Sequence, residues 1–223
     1  LRHRREKLFF TGDCLRRAFR IGLPMGCERI IMCGAQIMST VIVAPLGIYA
    51  IAANAFAITA ESLCYMPGYG IADAATTLVG QSLGAKRHDL ARSFARITVV
   101  MGMAVMTVMG AIMYLAAPLM IGVMTPVPEV VSLGVSILRI EAFAEPMFAA
   151  AIVAYGVFIG AGDTLVPATM NFVSIWAVRL TLAALLAPSM GLHGVWIAMC
   201  IELCFRGMIF LARMKWGRWI KRL

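Results

Sequence analysis

This 223-residue chain is 61% hydrophobic and only 14% charged, yet its 20 Lys and Arg against 11 Asp and Glu leave a net charge of +9. So apolar a composition excludes an ordinary soluble domain. The positive surplus does not point to nucleic acid, because that reading needs a basic face on a soluble domain and no stretch here supplies one.

In chain order the residues read as a basic tail with an interfacial lead-in (1–20), an all-α, six-transmembrane-helix bundle (21–212) and a second basic tail (213–223). A helix needs about 20 apolar residues to cross roughly 30 Å of hydrocarbon. Six stretches qualify, at 21–43, 47–79, 97–117, 130–159, 166–187 and 195–212. Asp13 is a candidate helix cap, and residues 15–20 form a basic amphipathic lead-in lying on the membrane surface. Pro67, beside Gly68 and Gly70, predicts a kink in the second span. Gly80 and Gly84 frame a turn, after which 88–96 reads as an interfacial helix feeding the third span. Pro146 predicts a kink in the fourth span. Gly160-Ala161-Gly162-Asp163-Thr164 is a tight turn, with Asp163 capping the fifth span. The six cysteines fall mostly within spans and lack metal-ligand spacing, so they read as small buried hydrophobes. The 17 methionines are span filler or an adaptable cavity wall. The chain begins with Leu1 rather than with Met and a cleavable signal pattern, and is read as a fragment or one half of a longer protein.

The loops sort by charge. Basic residues crowd the N-terminal tail, the link carrying Lys86, Arg87, Arg92 and Arg96, and the C-terminal tail; the intervening links at 45–46 and 118–129 have none. Short basic loops stay cytoplasmic, so both ends of this segment and the 80–96 link are expected inside, as an even number of spans requires. Anionic inner-leaflet lipid accounts for the attraction of those clusters.

An ionisable side chain within a span is costly and usually faces protein or water. Glu28 sits roughly 10 Å into the first span and needs a partner, a cation or a proton; a static pair with an arginine is the alternative. Glu61, one turn before Tyr65, is a candidate cavity carboxylate. Asp73 is placed to be wetted or capping. Glu141 and Glu145 are spaced i, i+4 and share a face, where two carboxylates repel unless a proton or cation intervenes; a salt bridge from Arg139 or Arg179 would explain them equally well. Glu202 and Arg206 read as a structural ion pair. No enzyme template is present: HExxH, the Walker lysine loop and GxSxG are all missing.

Several segments together are specific. Leu78-Val79-Gly80-Gln81-Ser82-Leu83-Gly84-Ala85 resembles the LVGQ-x-LGA signature of the multidrug and toxic compound extrusion (MATE) family. Gly160–Thr164 followed by Pro167 resembles its GAGDT-xx-P turn. Gly22-Leu23-Pro24 with Glu28 resembles the start of a lobe, and Gly194–Met199 with Gly217-Arg218-Trp219 its C-terminal ending. The likeness runs through nearly all of residues 12–219 and favours the C-terminal of two six-helix lobes.

The resemblance implies a Na⁺- or H⁺-coupled antiporter in a bacterial inner membrane. It would export organic, often cationic and amphipathic, compounds from a cavity between lobes by alternating access. It implies no cofactor beyond the coupling ion, with Na⁺ at Glu28 as the one metal role. The implied partners are the bilayer, an N-terminal lobe of the same parent chain and a small substrate, with no nucleic acid. Glu28 matches the family's acidic position on the first helix. The second acidic position falls on Phe148, which departs from the pattern, so Glu145, or Glu141 one turn further, is the candidate substitute. Asn54 stands where a histidine is expected, and Ile159 where an arginine is. The candidate cavity set is Glu61, Tyr65, Asn54, Met66, Phe148 and Arg179; the candidate turn set is Gly80, Gly84, Gly160, Gly162 and Asp163. Two other readings are a lipid-linked sugar flippase, which needs a more basic cavity, and a non-transporting scaffold, which needs every carboxylate paired.

Overall fold

The computed structural model describes residues 12–216 and Trp219; the tail before Gly12 and the remaining C-terminal residues lie outside them. The described residues form helices and no strand. The order is α1 (Gly12–Val43), α2 (Ile48–Gly84), α3 (His88–Met124), α4 (Pro128–Glu141), α5 (Glu145–Gly160), α6 (Leu165–Val173), α7 (Leu180–Met190) and α8 (Leu192–Trp216). A π-helical turn, Ser174–Arg179, joins α6 to α7, so Leu165–Met190 is one crossing. Among the described residues five helices are long and apolar enough to span, and α4 with α5, bent by 59°, bring the number to six when counted as one broken span.

The structure redraws some boundaries. The expected surface lead-in is the first part of α1, which enters the span without a break, and Asp13 lies inside that helix rather than ahead of it. Helix α2 continues through Pro67 to Gly84, so Gly80 and Gly84 are helical and the turn falls on Ala85–Arg87, with Lys86 at φ 59°. Helix α3 is likewise continuous from His88; no separate interfacial helix precedes it. Asp163 is not a cap: Thr164 holds that position, without a side-chain cap, and Asp163 instead pairs with Arg213 of α8.

The break in the fourth span lies at residues 142–144, just before Pro146. A proline removes the helical bond to the carbonyl four residues earlier and crowds it, which here is Ala142. The Ala142 oxygen is taken up against α3, where a Cβ on Gly110 would approach it to 2.9 Å.

Helix α5 is the centre of the bundle. Eleven of its residues are buried, and it packs on α2, α3 and α8. Small residues allow this closeness. A Cβ on Gly156 would lie 2.5 Å from the Ala72 oxygen, one on Gly207 of α8 would lie 2.5 Å from the Met147 oxygen, and one on Gly102 of α3 would lie 2.7 Å from Val153. Gly160 sits equally tight on the Thr76 backbone, and a Cβ on Gly80 would lie 3.3 Å from the Gly160 oxygen. The Thr76 hydroxyl donates to the Gly156 carbonyl at 2.8 Å, so α2 and α5 are tied as well as packed.

The Asp163–Arg213 pair brings the 160–164 turn to the end of α8. At this basic end a cleft of about 480 Å³ between α3 and α8 is lined by Arg92, Arg96, Lys215, Trp216 and Trp219. Basic and tryptophan side chains together mark a membrane–water boundary.

Candidate functional site

Glu28 lies on α1 four residues after Pro24, and is 9% exposed. Its two oxygens are held by different helices. The Tyr155 hydroxyl of α5 donates to Oε2, and the Asn171 amide of α6 donates to Oε1 at 2.6 Å. Both donors are neutral, and no described arginine pairs with Glu28, so the static Glu–Arg pair is not what the structure shows. An ionised carboxylate is acceptor-only, with lone pairs beyond these two bonds. Glu28 opens on a cavity of about 420 Å³ whose wall includes Arg29, Tyr69, Asp73, Phe148, Tyr155 and Arg206.

Of the expected cavity set only Phe148 lines this space. Tyr65 stands behind it, edge-on to the Phe148 ring at 5.7 Å. Asn54 is occupied elsewhere, accepting a 3.0 Å hydrogen bond from the Trp196 indole. Met66 is 61% exposed on the outer face of α2. Arg179 turns toward Met199, its Nη2 2.8 Å from the sulfur. Glu61 is buried in the bundle, away from the cavity. Arg139, one candidate partner for Glu141, faces the Tyr114 ring at 5.2 Å instead.

Two residues that matter most to Glu28, Tyr155 and Asn171, were not among the expected site residues. Their signal is a neutral polar side chain within an apolar stretch, which is weaker than a charge. The Arg206 guanidinium lies over the Phe148 ring at 5.6 Å.

The expected Glu202–Arg206 ion pair is present, with Nε 3.1 Å from Oε1 and both side chains buried. Ser174 in the π-helical turn donates to the same Oε1 at 2.6 Å. Removing one partner of a buried pair leaves an uncompensated charge and costs about 3–5 kcal/mol. Arg206→Met is therefore expected to lower the melting temperature of the parent protein in detergent sharply, and Glu202→Gln added to Arg206→Met to recover much of the loss.

Glu141 and Glu145 lie apart from the Glu28 cavity, either side of the α4–α5 break; each is 1% exposed. None of their four carboxylate oxygens has a hydrogen-bond partner. Among the described residues no three His, Cys, Asp or Glu side chains come together as a metal site.

Residues 24–185 match the MatE family model. The chain is 30% identical over 207 residues to a probable multidrug resistance protein NorM of Thermotoga maritima, covering 91% of this chain and 44% of that protein. It is 28% identical over 222 residues to the multidrug resistance protein MdtK of Edwardsiella ictaluri, covering 96% and 48%. The chain thus spans about half the length of the curated relatives it matches. Among solved structures, the Vibrio cholerae MATE transporter VcmN in its bent form superposes with a TM-score of 0.87 at 19% identity, covering 94% of this chain and 48% of that one. At that identity the likeness establishes the fold, and the family match across most of the sequence establishes the kinship: the chain belongs to the MatE family.

Proposed function

We propose that this bundle is one six-span half of a Na⁺- or H⁺-coupled antiporter that exports organic, cationic and amphipathic compounds by alternating access. The observation that carries the reading is Glu28: a buried carboxylate held by two neutral donors from two other helices, opening on a 420 Å³ cavity. A carboxylate so held can exchange a proton or a monovalent cation, because among the described residues no arginine or lysine is bonded to it, while Arg29 and Arg206 only share its cavity. An ion that binds one access state better than the other shifts the equilibrium between them. The other lobe, in the same parent chain, would complete the substrate cavity. That the relatives are named multidrug resistance proteins supports an exporter.

A lipid-linked sugar flippase is the less favoured alternative. A pyrophosphate cargo asks for a clearly positive cavity, whereas Arg29 and Arg206 here meet Glu28 and Asp73, and Arg206 is already paired with Glu202. A scaffold would have its intramembrane carboxylates neutralised by arginines, and among the described residues no arginine pairs with Glu28. The test is efflux of a cationic dye from bacterial cells making the whole parent protein, with external Na⁺ and pH varied separately. Export that responds to one of the two gradients supports the reading; dye retention under every gradient sinks it.

The orientation in the inner membrane has its own test. With both ends of this segment cytoplasmic, Lys86→Cys in the turn after α2 is expected to react with a membrane-impermeant thiol reagent in inside-out vesicles and not in intact spheroplasts. The opposite pattern inverts the topology.

A further inference from the structure

The fourth span contains a feature that the Glu28 exchange does not use. Glu141 ends α4 and Glu145 begins α5, flanking the three-residue break. The Ala144 amide still bonds the Glu141 carbonyl at 2.8 Å across the break. Each is 1% exposed, and all four carboxylate oxygens are buried without a donor.

The charged and titratable groups around them are few, and the two arginines among them are already engaged. Helix α2 brings the Glu61 carboxyl to both and Tyr65 to Glu145, and Cys64 lies close to Glu145 and Glu61. Helix α8 brings Glu202 and Cys200 to Glu141, with Cys204 beside Cys200. Span five brings Arg179. Helix α3 offers Gly110, whose missing side chain leaves room for the Glu145 methylenes. Arg206 is bound by Glu202, and Arg179 is directed at the Met199 sulfur; neither makes a salt bridge to Glu141 or Glu145.

Two ionised carboxylates in this setting would lack donors, repel each other and face Glu61 as well. An isolated buried charge is strongly unfavourable, and the simplest relief is neutralisation. Sodium is the poorer candidate, since it needs several oxygen ligands and among the described residues no three His, Cys, Asp or Glu side chains converge as a metal site.

We propose that the break of the fourth span is a proton-binding site, separate from the Glu28 cavity, in which Glu141 and Glu145 are both carried as neutral acids in the conformation described. The ligand class is the proton and not a metal cation. Its use in transport rests on the exchanger reading; its protonation does not.

The experiment is infrared spectroscopy of the whole parent protein in lipid, with glutamate labelled by carbon-13 at the side-chain carboxyl so that protonated glutamate is recognised by its isotope shift. Near neutral pH, wild-type protein is expected to show a protonated glutamate band that loses intensity in Glu141→Gln and again in Glu145→Gln. Glu28→Gln and added Na⁺ at constant pH are expected to leave the Glu141- and Glu145-dependent intensity unchanged. A wild-type spectrum with no protonated glutamate overturns the proposal without any variant, so misfolded variants cannot shelter it. A band that persists in both Gln variants, or that Na⁺ removes, overturns it too. Loss of gradient-driven dye export with the band intact would instead count against the exchanger reading alone.

Discussion

Replacing Glu28 by glutamine is expected to leave the bundle folded and to uncouple it. The amide is nearly isosteric with the carboxylate. Its oxygen can still accept from either Tyr155 or Asn171, and no buried cation is stranded, because the residues holding Glu28 are neutral. On the proposed exchanger reading, what disappears is the carboxylate that takes up and releases a proton or holds Na⁺. Coupling between two ligands is a free energy of typically about 1–3 kcal/mol, or roughly 5–150-fold in affinity. The dye affinity of the purified parent protein is therefore expected to differ by a factor in that range between ion-loaded and ion-free conditions in the wild type, and by a factor near one in Glu28→Gln. The measurement is a pair of equilibrium titrations, read beside gradient-driven efflux. Full ion dependence in the variant would remove Glu28 from the mechanism. Glu28→Asp is the companion: it keeps the charge but withdraws it by one methylene from two donors fixed on other helices, so it should fall between the two.

Gly156→Ala is expected to be among the most destabilising single-methyl additions in the bundle, although alanine is the better helix former. In an exposed helix the same change gains about 1 kcal/mol. At Gly156 the new Cβ would sit 2.5 Å from the Ala72 oxygen and 3.0 Å from its carbonyl carbon. Those neighbours are backbone, so no rotamer change relieves the clash. Helix α2 must move, and moving it stretches the Thr76–Gly156 hydrogen bond. Overpacking of this kind costs about 1–3 kcal/mol, against a total stability of about 5–15 kcal/mol for ordinary domains. Gly122→Ala on α3, with nothing within 4 Å of the added atom, is the matched control and should be neutral or stabilising. Thermal unfolding of both variants of the parent protein in detergent, followed by gel filtration, gives the sign of each. Equal melting temperatures would mean that α2 and α5 are not locked as described.

Much of this architecture can be read from residue order alone. Apolar length and the one-sided placement of Lys and Arg mark the crossings and the basic loops. The 160–164 turn falls where its glycines predict, and Glu202 with Arg206 needs only helical spacing. Other features depend on neighbours that a linear pattern does not identify. Periodicity says that Asn54 and Met66 are on α2; it does not say that one meets Trp196 while the other faces outward. Charge draws attention to Arg179 and Arg139 as partners for Glu141, yet the first turns to Met199 and the second to Tyr114. The two groups that hold Glu28 are neutral and lie 127 and 143 residues away from it in the chain. Gly80 and Gly84 mislead for a related reason. A glycine can be kept for close helix approach as well as for a turn, and Gly80 faces the Gly160 carbonyl from within a helix.

Helices α2 and α3 each run for 37 residues, about 55 Å at 1.5 Å per residue, while the hydrocarbon layer is roughly 30 Å deep. Their peptide groups are already satisfied well past the lipid tails, so a thinner or thicker membrane can slide along them without uncovering a frayed end. Mismatch is then met by small changes of tilt or depth, each costing only fractions of a kcal/mol per Å. Host-membrane thickness is accordingly a soft constraint on this bundle, and the acyl-chain length of the surrounding lipid can vary without forcing its helices to unwind.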